Sequence, residues 1–291
     1  MTRHAGDRAG EGTHNTGDRA AQVAVLVALN EADLLRAFAL ERAPRWVRGT
    51  VARPFRGRVR RLAEQLADFD AAVAAVGLPA ASAAMLAHLV PRLTVRGAAP
   101  ATGPILVVAN HPGLFDALAL FAALGRDDVA VVALDHPFLR ALPALRAHVI
   151  PVPAEGPRAG VLRAMAARLG SGGAVVTFPA GAIEPDPGVR DATASLARWS
   201  GSGATVLRLA PGSRIVPAVI SGVHTARALD HPLTRLRRRP ADREWLAAVG
   251  QLLSARWRTR HVTVRFGAPI DDADGVPAAV GDLLAAARCA G

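Results

Sequence analysis

The chain has 291 residues, 51% of them hydrophobic and 20% charged, which suits one large domain or a domain and a half and excludes a disordered protein. The net charge is +11 and every basic residue is Arg, so lysine Schiff-base and P-loop chemistry are excluded and anionic partners are favoured, whether lipid, nucleic acid or phosphorylated substrate. The single Cys, Cys289, excludes an intramolecular disulfide and a Cys-rich zinc site.

Residues 1–19 are polar and Gly-rich and lack the apolar stretch of a signal peptide; they are expected to form a disordered tail, and a cytoplasmic location follows by default. Residues 20–91 are expected to be helical. Leu62, Leu66, Phe69 and Val73 recur at helical spacing in an amphipathic run over 59–76. Residues 71–90 carry no charge and reach the length of a membrane span. Gly77, Pro79 and His88 interrupt that run, so two short helices hinged near Pro79 are expected instead.

From residue 92 short apolar runs alternate with helical stretches. Strands are predicted at 93–96, 104–109, 129–134, 148–152, 174–178, 214–220 and 262–266. Helices are predicted at 114–124, 136–144, 158–169, 192–208, 241–258 and 275–288. The fold class is therefore α/β: a mainly parallel or mixed sheet flanked by helices over 92–291, with an N-terminal helical hairpin.

The run PILVVANHPGLFDALAL contains a strand, a turn and a helix start. His111 falls just past the strand, where open α/β sheets place their sites. Asp116 falls in the first turn of the next helix. Two readings fit this spacing. Asp116 can cap the helix while His111 is a turn residue. Alternatively, the carboxylate can hold one imidazole nitrogen and leave the other facing a cleft, as a base with its orienter. No G-x-S-x-G surrounds any Ser, so a protein nucleophile is missing and a substrate hydroxyl is the natural attacking group.

NHPGLFD resembles the H-x4-D block of the glycerolipid acyltransferases, the lysophosphatidate-acyltransferase-like superfamily. VVTFPAG at 175–181, IVPAVISG at 215–222 and VRFGAPI at 264–270 are similar, in order, to that family's F-P-E-G block, its I-V-P-V block and its closing strand. The resemblance covers about residues 92–270. It implies O-acyl transfer from acyl-CoA or an acyl carrier protein to a lipid hydroxyl, with no further cofactor and no metal. It makes His111 the base and Asp116 its partner. Phe178, Pro179, Ala180 and Gly181 would lie on the acceptor side, and Asn110 and Pro217 would line the pocket.

Two departures stand out. The family has Glu where this chain has Ala180; Glu184 either substitutes for it from the same loop or is solvated, and Glu184 with Asp186 is also a candidate metal pair. The family also places a phosphate-binding Arg just after a strand, and here the nearest is Arg158, with Arg146 a weaker option. The acceptor is thus expected to be a lysophospholipid or related glycerolipid, with a non-phosphate lipid acceptor or an inactive lipid-binding protein as alternatives.

Arg clusters at 53–61, 235–239 and 256–260, with Phe55 and Trp257 among them, suit an anionic membrane surface or simply a solvated face. No nucleic-acid-binding motif accompanies them. The expected location is peripheral, on the cytoplasmic face of the cell membrane.

Overall fold

The computed structural model describes residues 8–288. Its N-terminal part is helical: α1 (Arg8–Ala37), α2 (Arg45–Ala52), a 3-10 turn over Arg53–Phe55, α3 (Arg56–Val76) and α4 (Leu78–Leu89). The expected disorder over 1–19 is corrected from Arg8 onward, where α1 already runs. Leu26 and Leu34 anchor its later turns in the core, and extending an existing helix costs far less than nucleating one. Residues 1–7 and Cys289 lie outside the described residues.

The uncharged stretch does break into two helices near Pro79, with the break at Gly77. Gly77 has φ of 84°, and a Cβ there would collide with the Asp127 carboxylate. Pro79 sits in the first turn of α4, where its missing N–H leaves no bond unmade. No described helix is long and apolar enough to cross a membrane.

The remaining elements follow as β1 (Arg92–Arg96), β2 (Ile105–Ala109), α5 (Asp116–Leu124), β3 (Val129–Leu134), α6 (Pro137–Arg140), α7 (Pro143–Arg146) and β4 (Val149–Val152). Then come α8 (Ala159–Gly170), β5 (Ala174–Thr177), a 3-10 segment over Thr193–Arg198, α9 (Ser202–Leu209) and β6 (Arg214–Ser221). The chain closes with α10 (Ala226–Leu229), α11 (Pro232–Arg235), α12 (Pro240–Leu253), β7 (His261–Phe266) and α13 (Val276–Arg288). All seven predicted strands form, whereas the helix expected over 192–208 divides into a 3-10 segment and α9.

The sheet order is β1-β7-β6-β2-β5-β3-β4. Every described neighbour pair is parallel except β6–β7. The sheet is therefore mixed, and the carboxyl ends of β2 to β6 gather at one end. Both faces are covered, so the central strand β2 is buried at all positions. Ile105, Val107 and Ala109 face a cluster with Leu26, Phe69, Leu86 and Leu120. Leu106 and Val108 face Met165, Val206 and Leu284 on the other side. The N-terminal helices thus complete the sheet's own core, and the change of pattern near residue 91 does not divide it. A third cluster joins Leu34, Val59 and Leu62 to Leu246, Val249 and Leu253 of α12, with Leu114 of the H-x4-D turn packed against it.

Candidate active site

The site begins where β2 stops. Asn110, 1% exposed, donates from its side-chain amide to the Ile220 carbonyl at 2.9 Å and accepts from the Ile220 N–H at 2.7 Å. The side chain thus imitates a backbone rung and holds the end of β2 against β6. Asn110 is accordingly not a pocket residue: both its polar groups are taken by Ile220.

Pro112 and Gly113 then turn the chain. A Cβ on Gly113 would stand 2.5 Å from Val223 Cγ1, so the close approach requires glycine here. Asp116 opens α5 and is fully buried. Its Oδ2 accepts from His111 Nδ1 at 2.8 Å and from the Gly113 N–H at 3.1 Å, while Oδ1 accepts from the Ala117 N–H at 2.8 Å. One carboxylate therefore does both things that the spacing allowed, holding the turn at the helix start and orienting the imidazole.

The His111 side chain is 27% exposed. Because the Asp116 carboxylate accepts at Nδ1, the proton sits there, and Nε2 is left with a lone pair and no protein partner among the described residues. Phe178, at the end of β5, packs its ring on the imidazole with centroids 4.7 Å apart. Burial works against a charged imidazolium, but the charge and hydrogen bond of Asp116, helped by the charge of Glu184, outweigh it and hold His111 above its ordinary value.

Glu184 is neither solvated nor aimed at an open acceptor space. It is fully buried. Its Oε2 accepts from the His111 N–H at 2.9 Å, its own N–H donates to the His111 carbonyl at 2.8 Å, and its Oε1 accepts from Trp199 Nε1 at 2.7 Å. Asp186, also buried, accepts from the N–H groups of Gly188, Gly222 and His224. Burial raises its carboxyl against the pull of those donors. Both carboxylates are thus occupied by protein donors, and the described residues contain no cluster of His, Cys, Asp and Glu arranged for a metal.

The other expected site residues are placed as follows. Phe178, Pro179 and Ala180 are half-buried beside His111's strand, and Gly181 is exposed with φ of 63°, in a turn closed by its N–H to the Phe178 carbonyl at 3.0 Å. Arg158 is exposed at the start of α8, with no ion pair or hydrogen bond from its guanidinium among the described residues. The strand that leads to it, β4, lies three strand positions from β2, roughly 14 Å. Arg146 is taken by Asp135. Pro217 does not line the site: it lies inside β6, paired with Val108, under Gly267 and α13. A side chain in mid-strand cannot reach the strand's end.

Behind the Phe178–Gly181 segment lies a cavity of about 120 Å³, lined by Val108, Thr177, Pro179, Trp199, Ile215 and Val276 among others. A larger groove of about 560 Å³ runs between α1, α3 and α6 past Gln22, Val25, Ala67 and Pro137, away from the imidazole. Sequence reasoning missed Trp199, His224 and Gln251, and the buried Glu244 of α12. Burial raises Glu244, opposed by the charges of Arg190 and Arg198 and reinforced by that of Glu184, so these groups share one neighbourhood. Nothing in their local sequence marks them.

A base held by a buried carboxylate at a strand's carboxyl end, with no protein nucleophile bonded to it among the described residues, is an arrangement suited to group transfer. Residues 92–221 match the profile of the Acyltransferase family. Over that segment, 130 of the 291 residues, the chain is similar to the acyltransferases. Among solved structures it is similar to the 1-acyl-sn-glycerophosphate acyltransferase PlsC from Thermotoga maritima, with 16% identity, a TM-score of 0.43, and 92% of this chain and 94% of that chain covered. No curated protein matches the chain significantly.

Proposed function

We propose that the protein transfers a fatty acyl group from the thioester of acyl-CoA or an acyl carrier protein to the hydroxyl of a lysophospholipid or related glycerolipid. The observation that carries this reading is the His111 imidazole, held at Nδ1 by a fully buried carboxylate at 2.8 Å and free at Nε2. Nε2 takes the proton of the acceptor hydroxyl as its oxygen attacks the thioester carbonyl. The tetrahedral intermediate collapses to the new ester, the C–S bond breaks, and the thiolate leaves with the proton returned from the imidazolium. Asp116 supports the transient positive charge.

Phe178, Pro179, Ala180 and Gly181 border the acceptor on the β5 side. An acceptor phosphate has Arg158 at the flank of the sheet, or Arg190 and Arg198 near Glu184, as its counter-charges. A second reading, a lipid acceptor without phosphate, is favoured by Ala180 in place of the family's Glu and by the lateral position of Arg158. The enzyme works from the cytoplasmic face of an anionic membrane as a peripheral protein. Exposed Trp46 and Leu236, 75% and 74% accessible and each among arginines, support that placement.

The test is direct. Purified protein is incubated with labelled acyl-CoA or acyl carrier protein and a panel of lysolipids and other lipid alcohols, and products are identified by mass. A product that appears with the wild type and vanishes in His111→Ala supports the reading. No acylated product from any donor and acceptor pair overturns it.

A further inference from the structure

Beneath the turn that carries His111 lies a buried imidazole that the base and its carboxylate do not use. Past the end of β6 the chain turns at Gly222, whose φ is 78° and where a Cβ would stand 2.5 Å from the His261 carbonyl oxygen. Asp186 pins this segment through the N–H groups of Gly222 at 2.9 Å and His224 at 2.7 Å. Gln251 of α12 closes it from behind: its Nε2 donates to the Val223 carbonyl at 2.8 Å, and its Oε1 lies 2.8 Å from His224 Nδ1.

These bonds settle the orientation of the amide and, with it, the tautomer. Because Gln251 must present its NH₂ to Val223, its oxygen faces His224, so the His224 proton sits on Nδ1. Nε2 then carries a lone pair. It is buried in a side chain that is 2% exposed, with the Pro112 backbone carbonyl beside the ring but no well-aligned hydrogen bond among the described residues, and it lies 3.9 Å from where a Cβ on Gly113 would be. Native structures leave few buried polar groups unpaired. Here the imidazole lies against the Pro112 carbonyl and the Pro112–Gly113 turn, and the Gly113 N–H donates to the same Asp116 oxygen that holds His111 Nδ1.

We propose that His224 is a positioning residue for the base: with Val223 it forms the floor of the Pro112–Gly113 turn, and through that turn it sets how Asp116 holds His111. Its own contact with Gln251 couples the turn to α12. Burial holds the His224 imidazole below its ordinary value, against the pull of the Asp186 charge, the Gln251 hydrogen bond and the Pro112 carbonyl. A neutral ring can pack against the turn without bringing a second cation to the base.

The inference rests on the proposed role of His111, and its test includes a reading that needs no substrate. The titration of the His111 imidazole is followed by NMR in the wild type, His224→Leu, His224→Gln and Gln251→Leu, with thermal unfolding of each measured separately. In the two leucine variants the His111 midpoint should fall towards the ordinary imidazole value, because the Asp116 contact loosens. The transfer rate constant kcat should drop about 10–100-fold, the size of effect expected when a reacting group is displaced by about 1 Å, with KM for the acyl donor unchanged. His224→Gln, whose amide can still donate to Gln251, should recover most of both. If His224→Leu does not fold, Gln251→Leu decides the matter, since it leaves His224 in place. Folded variants with lowered unfolding temperatures but an unchanged His111 midpoint and kcat would make His224 a packing residue only and overturn the proposal. A wild type with the raised His111 midpoint and no acyl transfer would refute the proposed function while leaving the titration test in force.

Discussion

Replacing Glu184 by Ala probes the clamp behind the base. The fully buried carboxylate accepts from the His111 N–H at 2.9 Å and from Trp199 Nε1 at 2.7 Å. Its removal strands two donors in the interior, each at about 1–3 kcal/mol, so the variant should lose roughly 2–6 kcal/mol. That is a large fraction of the ~5–15 kcal/mol that holds a domain of ordinary stability together. Glu184→Gln should lose about half as much, since its amide oxygen can serve one donor while its NH₂ opposes the other. The backbone bond from the Glu184 N–H to the His111 carbonyl survives in both variants. Urea unfolding measures the stability, and steady-state kinetics measures the effect on the base. We expect kcat to fall about 10–100-fold with the donor KM unchanged, because His111 shifts relative to the attacking oxygen. A Glu184→Ala protein within about 0.5 kcal/mol of wild type, the range of an ordinary surface substitution, with full activity, would refute this account of the clamp.

Four further outcomes are expected. His111→Ala should lose about 10²–10⁴ in transfer rate while still binding the acyl donor, and Asp116→Asn should lose somewhat less; an alanine variant keeping more than about a tenth of the rate would mean the base lies elsewhere. The rate should rise with pH through a midpoint above the ordinary imidazole value of about 6.5, because the working base is the neutral ring and folding holds His111 above that value. In Asp116→Asn the midpoint should move down, since burial then meets little opposition; a pH profile insensitive to this change would detach the limb from His111. Ala180→Glu should alter which acceptors are used across a lysolipid panel and leave the His111 titration unaltered; equal loss with every acceptor would speak for a folding defect. Binding to anionic vesicles should weaken as salt rises, since about 0.1 M salt confines exposed charges to a reach of ~10 Å, and Trp46→Ala should weaken it further; equal binding to neutral vesicles at low salt would count against the membrane reading.

Which surface groups are free for such a membrane was not legible from the Arg clusters. Arg258 is bonded to the carbonyls of Gln251, Leu252 and His88, closing the ends of α12 and α4. Trp257 packs on His231 with ring centroids 4.5 Å apart, and Phe55 packs on Phe38 at 6.2 Å. The exposed large aromatic among the described residues is Trp46, in the short helix α2 within the region expected to be helical.

By itself the sequence determined the order and nature of the strands and the place of the H-x4-D segment at a strand's end. Those features are written in patterns a few residues long, where apolar runs bounded by Gly, Pro and polar residues have few other solutions. It left two readings of Asp116 standing as rivals, and the folded chain shows that one carboxylate satisfies both. Only the tertiary structure decided that β7 runs against β6, that the N-terminal helices share the sheet's core, and that Asn110 and Pro217 face backbone and core instead of a pocket. It alone brought Glu184 to His111 across 73 residues and Gln251 to His224 across 27. A hydrogen bond between residues so far apart leaves no periodicity behind; it exists only because parallel strands deliver their carboxyl ends, and the loops that follow them, to the same edge of the sheet.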